Sequence, residues 1–227
     1  MNIGVLGCGK MGSVVAKKLP EDANKIIVDR NKEKLEALSK IIDCKFSTSI
    51  DALADADIVA VILPESEVNK NVESICKIAR DGAIILNMST NGAVDDSIKD
   101  SYKSINIIET KIIGQSSMIE KSKAPSAIVI GSQDKTIVDK IKYVFKNFPY
   151  VESGDVEKVP LAVQTATRQA IVTCMDLKEK LNALDVDTSW QEALFKCVLN
   201  GTIGSFMDDT LGPFARKIVK EIEDSRQ

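Results

Sequence analysis

The sequence predicts an α/β protein in two parts: a doubly wound, mostly parallel sheet over residues 1–153, then a small all-α domain over residues 154–227. Three observations predict it. Short apolar runs alternate with helical patterns through residues 1–150, as parallel strands joined by crossover helices require. The first of those runs leads straight into a glycine triplet. Beyond Val156 no strand pattern recurs, and residues 161–184 read as one long helix rich in Ala, Val, Thr and Ile.

Taken in order, the expected strands are residues 2–6, 25–28, 58–63, 83–87, 105–109 and 126–130, each a short run dominated by apolar residues. Pro20 ends the first helix, because proline lacks an N–H and its ring clashes with the preceding turn. Residues 65–80 read as a helix with Val68, Val72 and Ile75 on one side and Gly82 beyond its end. Ser132 is placed to cap a helix whose packed face is Ile137, Val138, Ile141, Val144 and Phe145. In the tail, residues 190–199 and 213–222 form shorter helices joined by a loop around Gly201 and Gly204. A tail of about 70 residues makes a small core. Its long helix is apolar on several sides, which predicts a homodimer built mainly through the helical region. The alternative is a monomer whose tail folds back on the first domain.

The glycine triplet is Gly7-Cys8-Gly9-Lys10-Met11-Gly12, directly after Ile3-Gly4-Val5-Leu6, and Asp29 closes the next apolar run, Ile26-Ile27-Val28. That spacing between a strand and a helix, with an acidic residue after the next strand, is the dinucleotide fingerprint of a Rossmann-like domain. Gly7 makes the tight turn, Gly9 lets the backbone approach a pyrophosphate, and Gly12 lets the helix pack on its strand. The helix start at Lys10 and Met11 offers unpaired N–H groups to phosphates. Asp29 is placed to accept hydrogen bonds from ribose hydroxyls, and its charge favours NAD over NADP. Arg30 keeps NADP open, since a guanidinium grips a phosphate or stacks on adenine, unless it is an ordinary solvated loop residue. The cofactor expected is therefore NAD or NADP, with the balance towards NAD.

Composition narrows the remaining chemistry. A net charge of −3 and the lack of a basic, aromatic-interleaved stretch argue against nucleic acid as a partner, and no apolar stretch reaches the length of a membrane span. Met1-Asn2-Ile3 enters the first strand at once, which leaves no room for a leader peptide and points to the cytoplasm. The five cysteines form no CxxC pair and read as reduced. Cys8, inside the glycine turn, is either a small residue that fits there or a site of oxidation or alkylation. Histidine is absent, which removes histidine-based triads, imidazole metal sites and a histidine general acid.

Further along stand Leu63-Pro64-Glu65-Ser66-Glu67-Val68 and Asn87-Met88-Ser89-Thr90. With the glycine turn, these segments resemble the β-hydroxyacid dehydrogenase superfamily, which includes 3-hydroxyisobutyrate and 6-phosphogluconate dehydrogenases. Pyrroline-5-carboxylate reductases and imine reductases share the layout. The resemblance implies that Leu63 and Pro64 border the ribose and nicotinamide, and that Ser89 and Thr90 sit at the mouth of the substrate site. Glu109 to Ser117 stands where the family has a serine- and glycine-containing substrate segment; Gly114 and Ser116 keep its character and Lys111 departs from it. The family's catalytic lysine is missing: Gln164-Thr165-Ala166-Thr167-Arg168 occupies its place on the long helix.

Carbonyl reduction needs a proton donor to the developing alkoxide. Lys111 is the nearest candidate along the chain, the plainer reading being an exposed lysine. Arg168 suits a substrate carboxylate, and Gln164 and Thr167 share its side of the helix; a subunit interface accounts for them equally. Imine reduction asks for less, because a protonated imine already attracts hydride. The missing lysine moves the balance towards imines, whereas Met88-Ser89-Thr90 and the short tail favour hydroxyacid dehydrogenases. The expected activity is hydride transfer between a nicotinamide and a small carboxylate-bearing carbonyl or imine. The alternative is a non-catalytic dinucleotide-binding regulator or partner protein that has lost the family lysine.

Overall fold

Rows of Ile, Val, Leu and Ala that are buried on both sides build the centre of the sheet. In the computed structural model, which describes residues 1–121 and 125–226, these are β4 (Ile58–Val61) and β5 (Ile84–Asn87), with every residue buried. Around them lie β1 (Asn2–Leu6), β2 (Asn24–Val28), β3 (Lys45–Ser47), β6 (Asn106–Ile113), β7 (Ala127–Ile130) and β8 (Tyr150–Ser153), in the order β3-β2-β1-β4-β5-β6-β7-β8. Neighbours run parallel except β6 and β7, which pair antiparallel. The doubly wound, mostly parallel sheet is therefore present. The strands not foreseen, β3 and β8, are short edge strands with no residue fully buried, so neither shows an apolar run.

The flanking helices are α1 (Lys10–Lys17), α2 (Lys32–Ser39), α3 (Glu65–Cys76), α4 (Asp96–Ser101), α5 (Ser116–Glu120) and α6 (Lys135–Val144), with a 3₁₀ turn at Ile50–Leu53. One core joins Val14 and Val15 of α1, Leu35 and Leu38 of α2, and Ile141 and Val144 of α6 to the sheet side bearing Ile3, Ile27 and Leu86. The other packs Val68, Val72 and Ile75 of α3 on Val28, Val59 and Ile85.

Local chemistry corrects several boundaries. Helix α3 stops at Cys76, four residues short of the expected end at Arg80. Asp134, not Ser132, caps α6: its carboxylate accepts from the Ile137 N–H at 3.1 Å, while Ser132 Oγ accepts from the Asp134 N–H. Strand β6 continues to Ile113, four residues past the expected end, because Thr110–Ile113 pair with Ile130–Ala127. Lys111 therefore lies within a strand.

Two compact units divide the chain, Met1–Val163 and Gln164–Gln227. The long helix α7 (Lys158–Ala183) begins in the first and continues into the second, where it is the longest element. After it come α8 (Thr188–Ala193), a π-helical stretch (Leu194–Leu199), α9 (Asn200–Met207) and α10 (Pro213–Asp224). Gly201 and Gly204 lie inside α9, where a loop was expected; hydrogen bonding continues through them from the π-helical turn, and a Cβ at either would meet nothing within 4 Å. Among the described residues of this unit, Leu181 alone is buried. No helix of the described residues is long and apolar enough to cross a membrane.

Candidate functional site

The glycine turn shows why each glycine stands where it does. Gly7 adopts φ 106°, and a Cβ there would lie 2.4 Å from the Ile62 carbonyl oxygen. A Cβ on Gly12 would sit 1.8 Å from the carbonyl oxygen of Gly7, so α1 approaches β1 only without one. Gly9 differs: a Cβ there meets nothing within 4 Å, since the residue faces the cleft itself. Two glycines serve packing and the middle one leaves room for a ligand.

That cleft, about 320 Å³, is formed where β1, β2 and β4 end, with Gly7, Gly9, Asp29, Leu63 and Pro64 among its walls. Strand order reverses between β1 and β4, and open α/β sheets bind ligands outside the carboxyl ends of strands at such a switch point. Among the helices flanking the sheet, α1 opens on this turn, with Gly9 as its cap and no side chain satisfying its first N–H groups. Lys10 is exposed and Met11 half-buried beside it. A built phosphate cradle is what these features amount to, and a dinucleotide fits it.

Asp29 lies on the cleft wall, as its spacing requires, and it also holds the turn in place. One carboxylate oxygen accepts from the Cys8 N–H at 2.5 Å and the other from the Asn31 N–H at 2.8 Å. Each oxygen keeps a second lone pair for a ribose hydroxyl. Arg30 is exposed, with its guanidinium 3.7 Å from Glu67. Lys34 and Thr48, which the sequence reading passed over, complete the same rim. Cys8 is buried, and burial together with the Asp29 charge pushes its thiol up to about 12. Burial of this kind favours the small residue that fits the turn over a reactive thiol.

Lys111 is not the exposed lysine of the plainer reading. Only 6% of its side chain is exposed, and its ammonium donates to the carbonyl oxygens of Ser89 at 2.6 Å and Gly92 at 2.9 Å and to Glu109 Oε2 at 3.1 Å. An ammonium has three N–H donors, and all three are engaged. Asn87, paired in register with Glu109 on the neighbouring strand, donates to Glu109 and to the Gly92 carbonyl, both at 2.8 Å. Asn87 and Glu109 were not assigned a role from sequence; the signal was a polar residue ending each of two adjacent apolar runs. Ser89 is buried in this cluster, accepting from the Gly92 N–H at 3.3 Å, and Thr90 is exposed. Ser116 is half-buried at the start of α5, which Gln115 caps. Gln164 and Arg168 are exposed, one turn apart on α7, in the second unit.

Residues 2–150 match the family described as the NAD binding domain of 6-phosphogluconate dehydrogenase. The chain belongs to that family, one of NAD(P)-binding dehydrogenases and reductases. No curated protein matches it. Among solved structures, a pyrroline-5-carboxylate reductase from Coxiella burnetii superposes with a TM-score of 0.76 at 14% identity, over 99% of this chain and 91% of that one. An imine reductase from Pseudomonas sp. gives 0.64 at 18% identity, over 97% and 78% of the two chains. A 3-hydroxyisobutyrate dehydrogenase from Mycobacterium tuberculosis gives 0.63 at 14% identity, over 82% and 67%. At such identities the likeness is one of fold. It nonetheless corrects the argument from the short tail, because this chain spans nearly the whole of the Coxiella reductase.

Proposed function

We propose that this family member is an imine-type reductase, transferring hydride from NADH or NADPH to a small carboxylate-bearing cyclic imine. One observation carries the reading. The lysine that sequence offered as proton donor spends all three N–H groups on fixed acceptors, and Gln164 stands where the family lysine would be. A keto acid needs a proton delivered as its alkoxide forms, whereas a protonated imine arrives with its charge in place. The protein then has mainly to orient the substrate and exclude water.

The residues toward the cofactor follow from the cleft. Gly7, Gly9 and Gly12 admit the pyrophosphate to the start of α1, Asp29 takes the ribose, and Leu63 and Pro64 supply an apolar wall. When bound, the dinucleotide supplies the hydride. The Asp29 carboxylate supports a preference for NADH; Arg30 and Lys34 at the rim are the groups that would serve NADPH. As groups for a substrate, Arg168 is the candidate clamp for a carboxylate and Gln164 a hydrogen-bonding group on the same helix, while Ser116 is a separate hydrogen-bonding candidate in the first unit. The apolar surface of the helical unit supports a homodimer in which a second copy covers it, and five unpaired cysteines support a reducing, cytoplasmic setting.

Titration of the purified chain with NADH and NADPH, followed by turnover with 1-pyrroline-5-carboxylate and with a small 2-keto acid, tests the reading. Binding of NADH with turnover of the imine alone is expected. Turnover of the keto acid alone overturns the imine assignment. No turnover of either despite tight binding supports the non-catalytic alternative.

A further inference from the structure

We infer that Lys111 is a positioning residue: through the turn after β5 it holds the start of α3, and with it Leu63 and Pro64, against the wall that receives the nicotinamide half of the dinucleotide. This rests on reading the cleft as the dinucleotide site, with Leu63 and Pro64 taken towards the nicotinamide as the family resemblance implies. The turn from Met88 to Val94 is pinned from the sheet by three side chains. Lys111 takes the carbonyls of Ser89 and Gly92, Asn87 Oδ1 accepts from the Ser89 N–H at 3.1 Å, and Glu109 Oε1 accepts from the Val94 N–H at 2.8 Å. Its opposite side meets α3. A Cβ on Gly92 would lie 3.1 Å from Cα of Glu65, the first residue of α3, and 3.2 Å from Val68 Cγ2. The Asp95 N–H donates to Asn69 Oδ1 of the same helix at 3.0 Å. Glu65 follows Leu63 and Pro64 directly, so a shift of the turn is passed to the cleft wall within two residues.

A buried ion pair is a poor device for stability alone, since apolar residues of similar volume commonly serve as well. What this one provides is direction. The buried carbonyls of Ser89 and Gly92 need donors, and one ammonium satisfies both from a fixed point on β6 while Glu109 holds the ammonium there. Neither Lys111 nor the turn it grips lines the cleft. The residue thus acts through its neighbours and not by contact with a reacting atom.

The test compares NADH with ADP-ribose, which has both riboses and the pyrophosphate but no nicotinamide, by calorimetry on the full chain. Wild type should bind NADH more tightly than ADP-ribose. In Lys111→Met and in Gly92→Ala, NADH binding should weaken by about tenfold while ADP-ribose stays within about twofold. Equal weakening of both ligands overturns the proposal and makes Lys111 a general support of the fold. Unchanged NADH affinity overturns it too, by showing that the turn does not reach the nicotinamide wall. If Lys111→Met does not fold, Gly92→Ala carries the comparison, because it presses on the same contact from the other side. Wild type that binds neither ligand overturns the dinucleotide reading itself, a result distinct from the others.

Discussion

Phe145 in the first unit is fully buried and meets Phe148 edge-on at 5.7 Å, whereas Phe206 and Phe214 in the second leave 60% and 80% of their surface exposed. The same side chain has opposite fates because the two units bury surface differently. A parallel sheet offers two apolar faces, and helices cover both, so residues on β1, β4, β5 and α6 find partners within the unit. The helices of the second unit present Ile171, Met175, Trp190 and Ile203 with more than half of each exposed. The first unit thus buries its apolar side chains within itself, and the second leaves most of its own exposed.

Substitutions test that contrast. The largest effect is expected from Phe145→Ala, which should cost about 3–5 kcal/mol in urea unfolding. Phe214→Ala in dilute protein should stay within about 0.5 kcal/mol. A comparable loss for both would break the comparison, and a loss for Phe214→Ala that grows with protein concentration would sharpen it towards a second copy. Next, Lys111→Met should destabilise by about 3 kcal/mol, because it strands Glu109 beside Asn87 in a buried site. Its counterpart is Lys217→Met, which breaks an exposed pair with Glu221 and should leave the melting temperature unchanged.

A smaller but specific effect belongs to the glycine turn. Gly12→Ala forces a Cβ onto the Gly7 carbonyl and should weaken NADH binding by more than about tenfold in calorimetry. Gly201→Ala, with open space around it, should leave NADH binding untouched.

A graded effect, spread over three groups, is a pH dependence carried by thiols of the first unit. Burial raises the thiols of Cys8 to about 12 and of Cys44 and Cys76 to about 11, from an ordinary 9.0. Because the unfolded chain loses these protons first, their contribution is intact below pH 9 and declines as pH rises from 9 towards 12. Melting temperatures at pH 8 and pH 10 should show the decline, and Cys8→Ala should flatten it. An identical slope in that variant would remove Cys8 as a contributor.

The sheet was legible because its central strands are unbroken apolar runs, and a run that long and that apolar has nowhere to go except an interior. The glycine turn and Asp29 were legible because their spacing is dictated by backbone geometry close along the chain. The edge strands β3 and β8 were not, since half-exposed residues at an edge carry no apolar pattern. Gly201 and Gly204 misled for a related reason: glycine weakens a helix without forbidding it, and the flanking turns continue through both.

Lys111 marks the limit. Residues Asn87, Ser89, Gly92, Glu109 and Lys111 span 25 positions from first to last, and no local pattern announces that they meet. By itself the sequence determined the apolar strands, the phosphate-binding turn and the lack of histidine, because each depends on residue type and short spacing. Only the tertiary structure decided that Lys111 is buried and fully bonded and that Asp29 braces the turn it faces. It also decided that the helical unit keeps its apolar side chains exposed. Those outcomes depend on which distant groups are brought within hydrogen-bonding or packing distance, and the fold sets that.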